Sequence, residues 1–163
     1  MAAIRKQDML RGMQAYDDWC AQARAQLAQI PAENAITVAP KLGRQTMAMA
    51  VRYSLHMMEL KAPGPGVEVR VAPYGVIKIL DGPASDPHNL TPPDVIELDP
   101  DVWLRVASGI TSWHDEQRAG AYQRGRRARR PERAAAARLS RAAAVAARVC
   151  NRCHTVWLTA AQQ

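Results

Sequence analysis

Residues 62–66 read APGPG, and the spacing of apolar residues changes across them. Before this punctuation, Met47, Val51, Leu55 and Met58 recur every three or four positions, while Arg44, Arg52 and Glu59 point elsewhere. That is the period of an amphipathic helix, and it predicts one beginning near Arg44. After it, in VEVRV (67–71), Val67, Val69 and Val71 alternate with Glu68 and Arg70. That is the period of a strand with one buried face. Two prolines and two glycines stop a helix, so the pentapeptide divides two kinds of secondary structure.

The strand run continues on the far side of a short APYG connection with VIKIL (76–80). Four residues between two β-rich runs predict an antiparallel hairpin. A long loop, DGPASDPHNLTPP, then leads to a third run, VIEL (95–98). Upstream, Met9, Met13, Tyr16, Cys20, Ala23, Leu27 and Ile30 follow helical spacing, and Pro31 closes that segment. Cys20 lies on the stripe and reads as a small buried hydrophobe. His56 flanks the apolar face of the second helix and reads as a packing residue. Asp99-Pro100-Asp101 starts a further helix, with Asp99 as cap, Pro100 in the first turn and Gly109 at the end. Ser112 and Asp115 have capping-box spacing for a short helix over 113–119, closed by Gly120. Helices and strands segregated along the chain predict an α+β fold with helices covering one face of an antiparallel sheet.

Charge divides the chain more sharply than hydropathy does. Residues 1–117 hold 11 Lys or Arg against 14 Asp or Glu, whereas residues 118–163 hold 11 Arg against the single acid Glu132. The body is mildly acidic and the tail carries the whole basic balance, so any nucleic-acid partner is expected through the tail alone. The charged N-terminal stretch lacks the apolar run of a secretory signal. No run of about 18 apolar residues predicts a membrane span. Three cysteines are an odd number and do not suggest a disulfide framework, so a cytoplasmic setting is expected. No acidic pair, Ser/His/Asp or Cys/His arrangement, or phosphate-binding glycine loop can be assembled from the body. In PGPGV the glycines precede a strand instead of following one, which excludes a dinucleotide fingerprint. The expectation is a protein without catalysis and without a cofactor.

Three stretches, VEVRVAPYGVIKILDGP, TPPDVIELDPDVWLRVASGITSW and the AG that follows, carry a resemblance. They are similar to the bacterial (actinobacterial) sterol-carrier-protein orthologue family, over about residues 46–120. The resemblance implies an SCP2-like fold, a five-stranded, mostly antiparallel sheet covered by helices with an apolar cavity between the layers. It implies binding of a lipid, a sterol or another hydrophobic small molecule. Candidate lining residues are Met58, Val69, Tyr74, Ile79, Trp103 and Trp113, each of which also fits ordinary core packing. The division expected is an N-terminal helical segment at 1–43, a sterol-carrier-like domain at 44–120 and a basic tail at 121–163.

Beyond Gly120 the quoted motifs end, and one or two strands that would complete the sheet are expected to be missing. Three readings account for the tail. RGRRARRPER suits an arginine-rich segment for RNA or another acidic partner. The Ala-rich stretch 134–149 suits a helix over about 131–150, with a disordered tail as the other outcome. The abrupt loss of acids also matches GC-rich coding DNA read in a shifted frame. The tail ends with VCNRCHTVWL, whose Cys150, Cys153 and His154 have the spacing of haem attachment or of three zinc ligands. Haem would need export and a second axial ligand, and zinc a fourth ligand from afar, so neither group is expected.

Overall fold

A computed structural model describes residues 4–82, 94–120 and 122–124. Two long helices, α1 (Met9–Leu27) and α2 (Arg44–Lys61), open the chain, joined through a 3-10 turn at Ala32–Thr37. On α1 the buried face consists of Gly12, Ala15, Tyr16, Trp19, Cys20 and Ala23. The expected stripe holds at Tyr16, Cys20 and Ala23 but not at Met13, which is 39% exposed. Small residues rotate the face: a Cβ on Gly12 would lie 2.6 Å from Ile4 Cδ1 and 2.9 Å from Tyr53 Cβ. Close approach of α1 to α2 therefore seats Trp19, which is fully buried, and sets the Tyr16 and Tyr53 rings 5.9 Å apart. Val51, Leu55 and Met58 of α2 are buried as their spacing predicts.

Among the described residues the sheet has four strands, in the order β2-β1-β3-β4. These are β1 (Pro63–Val71), β2 (Gly75–Ile79), β3 (Asp94–Leu98) and β4 (Tyr122–Arg124). β1 starts inside the pentapeptide that ends α2. Pro63 and Val67 both stand opposite Ile79, so the intervening residues form a bulge, the place where a sheet tolerates proline. Gly64 takes φ 149°, and a Cβ there would collide with the Leu80 carbonyl. The Gly66 N–H donates to that same carbonyl at 2.8 Å. Only glycine fits this close crossing of two backbones.

β1 and β2 form the expected antiparallel hairpin. β3, however, runs parallel to β1, which corrects the expectation of an antiparallel sheet to a mixed one. The reason is topological. β2 brings the chain back to the end of the sheet where β1 began, and β3 starts from that same end on the other side of β1. β4 pairs antiparallel with β3, with Ile96, Glu97 and Leu98 opposite Arg124, Gln123 and Tyr122. A strand therefore follows Gly120, where the sequence predicts its loss.

α3 (Pro100–Ser108) and α4 (Trp113–Arg118) complete the described chain. Pro100 sits in the first turn of α3 and Gly109 closes it in the left-handed region at φ 75°. Asp99 occupies the N-cap without a side-chain cap bond, a departure from the expected role. The capping box forms in full: the Ser112 hydroxyl accepts from the Asp115 N–H, and Asp115 accepts from the Ser112 N–H. α2 lies on β1 and β2, while α1 and α3 pack against α2. One apolar cluster runs from α1 through α2 and α3 to the inner face of the sheet.

Candidate functional site

The layer between α2, α3 and the sheet is built by register. Val69 stands opposite Ile77 on one side and Ile96 on the other, and Val71 opposite Leu98. Val67, Val69, Val71, Ile77, Ile79, Ile96 and Leu98 share the inner face, each no more than 3% exposed. The helices answer with Val51, Leu55 and Met58 from α2 and Val102, Trp103 and Val106 from α3. Gly75 at the hairpin lets α2 come down onto the sheet, since a Cβ there would meet Leu55 Cδ1 at 2.9 Å.

Five of the six predicted lining residues, Met58, Val69, Ile79, Trp103 and Trp113, are buried in this cluster. Tyr74 packs against it from the hairpin turn and stays partly exposed. The structure thus brings all six to one apolar body. The metal-like trio Cys150, Cys153 and His154, the Ala-rich segment and the arginine run lie outside the described residues. Among the described residues no group of three His, Cys, Asp or Glu could hold a metal ion.

Two polar arrangements in the interior were missed by sequence reasoning. The Trp103 indole N–H donates to Ser54 Oγ at 2.8 Å, and the Ser54 hydroxyl donates to the Val51 carbonyl at 2.9 Å. Burial of the indole therefore leaves no unmade bond on Trp103. At the corner between α3 and α4, Arg105 meets Glu116 through two bonds of 2.6 and 3.0 Å. The same guanidinium donates to the Val38 carbonyl at 2.9 Å, and Thr111 Oγ1 donates to Glu116 at 2.7 Å. Arg105 and Glu116 side chains are 6% and 1% exposed, so the pair is desolvated and relies on these bonds. The available signal was an arginine inside an otherwise apolar run, WLRVA, which needs a buried acid as partner.

Two carboxylates show opposite electrostatics. Burial raises the pKa of Asp101 above its ordinary value, against the lowering pull of Lys41, Arg105 and the Trp19 indole. Trp19 Nε1 and Asp101 Oδ1 are both buried short of full hydrogen-bond geometry. The Asp115 carboxyl is lowered to about 2, chiefly by the Ser112 hydroxyl and then by Arg118.

On the outer face of the sheet, Arg70 donates to Glu68 at 2.6 Å, and Glu68 stands opposite Lys78. Along the flank of α2, Arg52 Nε donates to the Tyr74 carbonyl at 3.0 Å. One turn on, His56 Nδ1 lies 3.8 Å from Glu59 Oε2. No described helix is long and apolar enough to cross a membrane.

Comparison with known proteins adds one match. The model of the bacterial SCP ortholog family covers residues 43–147, 105 of the 163 in the chain. It extends past Gly120, further than the quoted motifs reach. No curated protein matches the chain.

Proposed function

The chain belongs to the bacterial SCP ortholog family, and from that premise we propose that it is a non-catalytic carrier of a lipid, a sterol or another hydrophobic small molecule, working in the cytoplasm. The supporting observation is the apolar layer itself. It joins strands and helices chiefly through aliphatic side chains, and within it the Trp103 indole N–H is satisfied by Ser54. An apolar guest can replace such contacts without leaving a buried donor or acceptor unpaired. Met58, Val69, Tyr74, Ile79, Trp103 and Trp113 are the residues proposed to meet it.

Native mass spectrometry of the purified chain, before and after organic extraction, tests this reading. A co-purifying species of lipid mass that extraction removes is the expected result. A chain that carries no such species, and takes up neither a long-chain acid nor an alcohol added afterwards, would count against the carrier. A salt-sensitive complex with RNA would instead favour an interaction module acting through the basic tail.

A further inference from the structure

All four described α-helices send side chains into the apolar cluster on the inner face of the sheet, among them Trp19, Leu55, Val106 and Trp113. The strand residues of that face are no more than 3% exposed, so the inner face is closed. Strand alternation and register put Glu68, Arg70, Val76, Lys78, Val95 and Glu97 on the other face. Charge there is partly neutralised within the sheet, since Arg70 folds back to donate to Glu68 at 2.6 Å. Glu97 is exposed, Val95 is half-buried and Val76 is 50% exposed, so the outer face offers an open acid beside apolar surface. β4 leaves the sheet at Arg124, opposite Ile96 of β3, yet the family match runs on to residue 147. The matched residues past β4 therefore belong to the domain, and the closed inner face has no room for them. Composition sorts the places that remain. Residues 134–147 are mostly alanine, with Arg138 and Arg141 as their only charges. Alanine favours a helix and is depleted in strands, which argues against a further strand beside β4. At helical spacing Leu139, Ala142 and Ala146 make one apolar stripe.

We propose that the outer face of the sheet is the docking surface for this chain's own residues 134–147, which lie on it as a helix. The Leu139, Ala142 and Ala146 stripe meets Val76 and Val95, and the guanidinium of Arg138 or Arg141 pairs with Glu97. Small alanine side chains let a helix approach a sheet closely. Charge agrees with the pairing: residues 1–117 carry an excess of acid, and the docking segment carries none. The domain then has helices on both faces of its sheet. The Ala-rich part of the basic tail is an internal partner of the acidic body, not an arm held out to RNA.

The chain carries its own probes for this contact. Cys150 and Cys153 follow the segment closely, while Cys20, the remaining thiol, is buried. A short thiol-to-amine crosslinker added to the full chain therefore starts from the end of the segment. Its possible acceptors are Lys6, Lys41, Lys61 and Lys78. Of these, Lys78 stands on the outer face opposite Glu68, whereas Lys41 lies beside Asp101 and Lys61 ends α2. Mass-spectrometric mapping of the monomer should find Lys78 as the main acceptor. Glu97→Arg should lower that yield by up to about fivefold, the limit for one exposed ion pair. Adding Arg138→Glu and Arg141→Glu to the same chain should restore it. Links to Lys6, Lys41 or Lys61 in place of Lys78, or to all four lysines alike, would overturn the docking. Links that join two copies would give the face to a second chain instead. A yield that ignores Glu97→Arg would overturn the ion pair.

Discussion

The corner between α3 and α4 and the layer between α2 and the sheet are equally buried, yet they are held by different physics. At the corner a single arginine meets a single glutamate, a carbonyl completes the arrangement, and each bond has one direction. In the layer, branched aliphatic side chains from three strands meet Leu55, Met58 and Trp103 with contacts that any apolar group of similar size can replace. A carrier needs both. The corner fixes the frame, because moving it would strand a charge, and the layer exchanges contacts at modest cost, which is why the proposed carrier role would use the layer.

Removing one member of the corner pair is the harshest test of this contrast. Glu116→Leu leaves the Arg105 guanidinium buried without its counter-charge, which is expected to cost about 3–5 kcal/mol in urea denaturation. Replacing both, as Arg105→Met with Glu116→Leu, should recover most of that loss, because no charge is left stranded. Met58→Leu in the layer should cost less than about 1.5 kcal/mol. If Met58→Leu proves as damaging as Glu116→Leu, the layer is not exchangeable and the carrier reading weakens with it.

The next test lies where α1 crosses α2. Gly12→Ala places a methyl against Ile4 Cδ1, which can turn away, and against Tyr53 Cβ, which cannot. Overpacking of this kind costs about 1–3 kcal/mol, partly offset by the gain of about 1 kcal/mol in helix propensity. A measured destabilisation identifies α1 as part of the rigid frame, and a neutral or stabilising result would show that the crossing gives way as the layer does.

The outlines of this structure were legible in the sequence because local patterns specify them. The switch of period at residues 62–66, the Pro100 start and Gly109 stop of α3, and the Ser112–Asp115 box are all decided within a few residues. The face of α1 was only partly legible. A reading that counts Met9 and Met13 as core and passes over Gly12 and Ala15 misses that small residues mark the closest approach of two helices. Parallel pairing of β1 with β3 was not legible, since both directions use the same alternation and only the route of the chain around the sheet decides. Clustering of Met58, Val69, Ile79, Trp103 and Trp113 followed from the pattern. The union of Arg105 with Glu116 depends on a turn between two helices, and the setting of Arg52 against Tyr74 depends on where α2 lands.

A smaller effect is expected at a directional bond inside the layer. Trp103 gives its ring to the layer and its N–H to Ser54. Trp103→Phe removes that bond while Ser54 keeps its donation to the Val51 carbonyl, so a loss of about 1 kcal/mol is expected in the same denaturation assay. A loss several times larger would mean that ring volume dominates, and that the layer is packed more like the frame than like an exchangeable interior.

The finest discrimination comes from pH, through two aspartates in the first turns of α3 and α4. Asp101 has a raised pKa in the folded chain, so the folded state holds its proton more tightly than the unfolded state does. Its contribution therefore grows as pH falls from neutral toward its raised value, and is complete below 3.8, the ordinary value. Asp115 has the opposite sign. Lowered to about 2, it contributes stability above 3.8 that is lost as pH falls from there through 2. Wild-type stability followed by urea denaturation should thus rise slightly on mild acidification and fall below pH 3.8. Asp101→Asn should abolish the rise and keep the fall, and Asp115→Asn should flatten the part of the fall that the capping box causes. Should Asp101→Asn leave the mild-acid limb unchanged, burial of the Asp101 carboxyl is not what produces that limb.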